Sequence, residues 1–158
     1  MEKGKKYLLS SLFGLGIISV SCIWIQQGCI NRWKKQANKD RGLFLLMNQW
    51  VNLKQDEKRI ENYFIHNKLK RIAIYGMSYV GKRLVKELKD TEVEVIYGID
   101  RDAANIYSEI ELVTIDADLK EVDAVVVTSI DEYNAIYNML SQRIRCPIIA
   151  IEDIINEV

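Results

Sequence analysis

Residues 71–88 read RIAIYGMSYVGKRLVKEL: an apolar run, a turn holding two glycines, then apolar residues at helical spacing. Ile72-Ala73-Ile74 is too short for a buried helix and suits a strand, predicted over 71–76. Val80, Leu84 and Leu88 fall on one face of a helix predicted over Tyr79–Lys89. A wholly apolar strand needs cover on both faces, and a helix following it through a tight turn supplies one of them. This unit constrains the rest of the chain more than any other.

The downstream sequence repeats the alternation. EVEVIYGID (92–100) places Val93, Val95, Tyr97 and Ile99 at every second position, a second strand with these residues on one face. IELVTI (110–115) reads as a third strand. DAVVVTSI (123–130) is continuous and β-branched, as in a central strand covered on both faces. Asp131 is placed to cap a helix that turns Tyr133, Ile136, Tyr137, Leu140 and Ile144 inward. CPIIAI (146–151) is the last strand, and EDIINEV a short terminal helix. The expected fold class is α/β: a Rossmann-like, mostly parallel sheet of about five strands with helices on both faces.

The first forty residues have another character. Tyr7–Ile25 runs 19 residues without a charge, the length a helix needs to cross about 30 Å of hydrocarbon. Lys3, Lys5 and Lys6 precede it; Arg32, Lys34 and Lys35 follow, with Trp24 and Trp33 at that boundary. The expectation is an uncleaved N-terminal transmembrane helix. The rival is a signal peptide, with Ser19-Val20-Ser21 before Cys22 as the cleavage-like site. Residues 1–41 hold eight of the chain's 22 Lys/Arg and two of its 22 Asp/Glu, a balance of +6 that leaves −6 on the remainder. A basic end on an acidic body points to a membrane surface and away from nucleic acid. Leu43, Leu46, Met47 and Trp50, joined by Val51 and followed by Ile60, Tyr63 and Phe64, form an amphipathic linker that packs on the body or serves as a dimerising stalk. The polar run KQDEKRIEN turns outward or breaks that helix. The segments are therefore residues 1–30 (anchor), 31–68 (basic juxtamembrane and linker helix) and 69–158 (body).

The glycine turn carries the candidate chemistry. A turn of this kind after a strand and before a helix is the context of a phosphate-binding motif. Gly76 permits the tight turn, with Met77 inside it, and Gly81 lets the helix approach the strand. The middle position, glycine in the full motif, is Ser78, whose hydroxyl donates to a phosphate or fills its place. Lys82 and Arg83 add charge to the first helical turn or form a solvated face. Asp100, 19 residues beyond Gly81, stands where an acid accepts hydrogen bonds from a ribose diol, which favours NAD over NADP; otherwise it caps or pairs with Arg101. Arg101 joins the candidate ligand-binding residues. Thr128 and Ser129 end the central strand and line the same cleft or start a turn.

Other chemistries lack their residues. Tyr79 and Arg83 have the spacing of a tyrosine–lysine dehydrogenase pair, but arginine does not give up its proton. There is no Gly-x-Ser-x-Gly, no phosphate-loop lysine and no HExxH. Cys22, Cys29 and Cys146 lack metal-ligand spacing, His66 is the single histidine, and an odd cysteine count suits a reducing compartment. Cys146 reads as a small buried hydrophobe.

IAIYGMSYVGKRLVKEL, YGIDRD and VDAVVVTSIDEYNAI…CPIIAIEDI together resemble a Rossmann-like module of bacterial cell-surface polysaccharide proteins. The likeness is to the N-terminal nucleotide-sugar-binding domain of sugar acetyltransferases and the nucleotide-binding half of epimerase/dehydratases, and also to small membrane-anchored Gram-positive proteins. It covers about half the chain. The resemblance implies a diphosphate held at Gly76, Ser78 and Gly81 and a ribose at Asp100, with Ser78 a departure. The acetyltransferase's catalytic β-helix has no counterpart here. The expected function is a single-pass, membrane-tethered, non-catalytic nucleotide or nucleotide-sugar binding protein with its body in the cytoplasm. NAD and a UDP-sugar are the candidate ligands, and a homodimer or a membrane protein the candidate protein partner. The alternatives are an NAD- or adenine-nucleotide-sensing domain of the potassium-transport type and a protein-binding scaffold.

Overall fold

The computed structural model describes the backbone over residues 2–158 and the side chains over residues 26–158. Helix α1 spans Glu2–Gln55 and α2 Glu61–His66. Then follow β1 (Arg71–Tyr75), α3 (Tyr79–Leu88), β2 (Glu94–Ile99), a 3-10 turn (Ala103–Asn105) and β3 (Leu112–Val113). The chain ends with β4 (Ala124–Val127), α4 (Tyr133–Leu140), β5 (Ile148–Ala150) and α5 (Ile151–Glu157). Residues 1–41 and 42–158 form two compact units. Among the described residues no helix is long and apolar enough to cross a membrane. The span expected over 7–25 lies outside the residues whose side chains are described.

The second unit is an α/β domain on a five-stranded sheet of order β3-β2-β1-β4-β5, and all four pairings are parallel. Successive residues of a strand face opposite ways, so β1 sends Ile72 and Ile74 to one face and Ala73 and Tyr75 to the other. The first face is covered by α1, α2, α3 and α5 through Leu46, Trp50, Phe64, Leu84 and Ile154. The second is covered by Ile136 and Leu140 of α4. The right-handed rule for parallel crossovers explains the division. From β1 the chain moves one way to β2 and β3, and its connections, with Val80, Leu84, Ile106 and Ile110, lie on the first face. It then moves the other way to β4 and β5, and Ile115, Leu119, Val122 and α4 lie on the second.

Several expectations are corrected in detail. Along the second strand and the residue before it, Val93 and Val95 face the first layer, whereas Tyr97 and Ile99 face the second. Ile72 pairs with Val95 but Ala73 with Tyr97, so Ile96 is an extra bulged residue that inverts the alternation. The third strand contracts to Leu112–Val113, an edge strand that pairs only with Gly98 and Ile99. Asp131 caps nothing: α4 starts at Tyr133 after Glu132, without a side-chain cap bond. Tyr137 is 44% exposed, because Ile136 and Leu140 hold the inward positions, and it packs against Tyr133. Along α1, Leu46, Trp50 and Leu53 share the buried face, which turns Val51 outward. The chain does break at the polar run, where α1 stops at Gln55 and Glu57 takes φ 57°.

Polar ties complete the packing. Lys54 pairs with Glu87 of α3, and Gln49 bonds Asn156 of α5 at 3.1 Å. At the sheet's N-terminal edge Asp123 accepts N–H bonds from Lys70 and Arg71, both at 2.8 Å. Those two bonds hold its pKa below the ordinary carboxylate value. A depressed folded pKa gives stability that is present above the unfolded value and lost as pH falls through the folded one. Asp123→Asn is expected to be less stable than the parent at neutral pH, with the gap closing below about pH 4. Urea unfolding across pH checks this; a gap constant down to pH 2 would contradict it.

Candidate functional site

The order β3-β2-β1-β4-β5 reverses direction at β1, and the crevice in such a sheet opens beyond the C-terminal ends of the strands either side of that reversal, here β1 and β4. The glycine turn occupies this position. Gly76 follows β1 with φ +94°, backbone that residues with a Cβ rarely adopt, and its N–H extends the ladder to Ile99 O at 2.8 Å. Gly81 stands in the first turn of α3 directly against that loop. A Cβ there would overlap the Gly76 carbonyl oxygen, so only glycine lets helix and turn come this close. Met77 is 1% exposed and fills the space beside Gly98, where a Cβ would lie 2.9 Å from Met77 Cγ. Its side chain is a floor to the turn, and its backbone is what faces the crevice side.

Asp100 and Thr128 hold the turn from its two flanks. Asp100, directly after β2, accepts the Met77 N–H on Oδ2 at 2.7 Å and the Asp102 N–H on Oδ1 at 3.0 Å. Thr128, 3% exposed, donates its hydroxyl to Gly76 O at 2.5 Å, with Tyr75 O 3.1 Å away sharing the same proton. Each carboxylate oxygen of Asp100 keeps a further lone pair, so accepting from a diol is compatible with this arrangement. Ser78 is exposed at the N-cap of α3 and makes no side-chain cap bond, leaving its hydroxyl beside the helix's first N–H groups. Ser129 is half-buried beside the turn, its backbone N 3.8 Å from where a Gly76 Cβ would lie. Lys82 and Arg83 are both exposed on α3. Lys82 and Tyr107 line a cleft of about 150 Å³ on the helix flank, below the ~300 Å³ lower end for small-molecule pockets.

Arg101 pairs with Glu132 at 3.1 Å and not with Asp100. Tyr75, at the end of β1, lies close enough to feel these charges. Burial raises its phenol pKa, Arg101 opposes the rise, and Asp100 and Glu132 add to it. The phenol is therefore a protonated donor at neutral pH. Sequence reasoning missed Tyr75 and Glu132. Tyr75 reads as one more residue of a short buried strand, and 31 positions separate Arg101 from Glu132 with nothing local to pair them.

At the β5 side, burial raises the Glu152 carboxyl, with Asp153 and Asp131 adding repulsion. Cys146 is half-buried, and burial pushes its thiol up, away from the thiolate a nucleophile needs. Among the described residues no group of His, Cys, Asp and Glu is arranged to hold a metal ion. The chain matches no protein-family model, no curated protein and no solved structure.

The turn can present α3's first N–H groups and a free hydroxyl to an anion, with the exposed Arg101 guanidinium after β2. Asp100→Ala leaves two N–H groups without their acceptor and is expected to cost about 1–3 kcal/mol, with Asp100→Asn milder because one carbonyl oxygen remains. Chemical denaturation of the two variants checks the order. Glu152 has the opposite sign to Asp123: a raised folded pKa means stability falls as pH rises through the unfolded value. Glu152→Gln should therefore raise the melting temperature at pH 7, with the gain fading below about pH 4. A variant less stable at pH 7 would show that its hydrogen bonds outweigh its charge.

Proposed function

We propose that the chain is a non-catalytic, membrane-tethered binding protein for a nucleotide or nucleotide-sugar, an accessory or regulator of envelope polysaccharide assembly. The observation that carries this reading is the glycine turn at the reversal point of an all-parallel sheet. Gly76 has positive φ, Gly81 stands directly against it, and Asp100 is turned into it. The two glycines are what a Rossmann-like nucleotide fold uses to bring backbone close to a phosphate, and an acid after the second strand is what it uses to meet the ribose. The tether rests on the uncharged run at 7–25 and its basic flanks. Exposed Trp33, set among Arg32, Lys34 and Lys35, has the chemistry of a headgroup-level anchor. The cytoplasmic placing of the body follows from the excess of basic residues after that run.

A second reading is supported by the same bonds. Asp100 and Thr128 are engaged in holding the turn, which a protein-binding scaffold with a retained loop would also need. NAD- or adenine-nucleotide sensing differs from the first reading only in the base recognised. Thermal unfolding of the full chain separates the three. The proposal expects stabilisation by a UDP-sugar, about 2.7 kcal/mol at a hundredfold excess over Kd. A shift with NAD or ADP alone supports the sensor. No shift with any of them, at millimolar concentration, leaves the scaffold.

A further inference from the structure

Arg101 and Glu132 reach each other across the crevice mouth. Arg101 follows β2 and Glu132 follows β4, the two strands on either side of β1, so the ion pair spans the turn where β1 ends. Glu132 occupies the position before α4, where an acid ordinarily accepts its own helix's free N–H groups. It makes no such cap bond and is turned to Arg101. Arg101 in turn has no other carboxylate partner among the described residues. The arginine is therefore held between the ends of β2 and β4 by a carboxylate of the same chain.

We propose that Arg101 is the crevice's reader of the ligand's phosphate and that Glu132 is an internal competitor for it, so that phosphate binding proceeds by exchange of one oxyanion for another. This inference rests on the nucleotide reading given above and adds the group that sets its affinity. The exchange is cheap to make. The two side chains are 77% and 42% exposed, and exposed pairs contribute little because water and salt screen them. A phosphate offers more charge than a carboxylate and matches guanidinium geometry. Asp131 and Glu152 add acidic side chains after β4 and β5, so the Arg101 side is the more favourable one for a phosphate.

The test measures binding of UDP, ADP and inorganic pyrophosphate to the full chain by calorimetry. Glu132→Gln is expected to bind the probe that wild type accepts about two- to fivefold more tightly, and Arg101→Gln several-fold more weakly. In the double variant the gain from Glu132→Gln should vanish, because the competitor acts only through Arg101. Both single variants should keep the parental melting temperature, since an exposed pair is broken. Unchanged affinity in Glu132→Gln, with wild type still binding, overturns the inference and leaves the nucleotide reading standing. A gain that persists in the double variant overturns it too, showing general charge removal instead. If neither wild type nor Glu132→Gln binds any of the three probes, both readings fall.

Discussion

The contact between the Gly76 carbonyl and the bare Cα of Gly81 fixes where helix α3 begins and how closely it lies on the sheet. Everything near the crevice depends on that closeness. Met77 can fill the space beside Gly98 only because the turn drops its side chain inward. The Met77 N–H then faces Asp100 and not a helical carbonyl, and the Gly76 carbonyl is left for Thr128. A side chain at Gly81 would push α3 off the turn, and one at Gly76 would crowd the Thr128 hydroxyl in a backbone conformation that side chains rarely adopt. The turn is thus held by sterics first and by hydrogen bonds second.

Much of this was legible because it is local. The strand at 71–76, the helix from Tyr79 with Val80, Leu84 and Leu88 inward, and the continuous core strand before Thr128 follow from periodicity over short windows. The same local rule failed where tertiary pairing intervened. Ile96 is bulged out of register by the partner strand, so an unbroken alternation in sequence became two half-strands facing opposite layers. β3 is short because it lies at an edge with a single neighbour, a fact about sheet order that no window of six residues contains. The site divides in the same way. The glycines and Asp100 announce themselves by spacing within one βαβ unit, whereas Glu132 arrives from a different unit. The bonds that occupy Asp100 and Thr128 arise only once β1 lies between β2 and β4.

Functionally, the crevice joins two tendencies. Its α3 side offers backbone N–H groups, the Ser78 hydroxyl and the Arg101 guanidinium, an environment for an oxyanion. Its β4–β5 side carries Glu132, Asp131 and the half-buried Glu152, an environment that rejects one.

The far edge of the sheet carries its own consequence. Tyr133 donates its hydroxyl to Ile148 O at 2.9 Å. In the parallel ladder Pro147 O already accepts from Val125, so the alternating Ile148 carbonyl points away from β4. β5 is only three residues long, and one of its outward acceptors is taken by a side chain from α4. An open edge is the part of a sheet that recruits foreign strands into aggregates. Here a single phenol blunts it, so a parallel sheet can end in solvent while remaining a poor template for further growth.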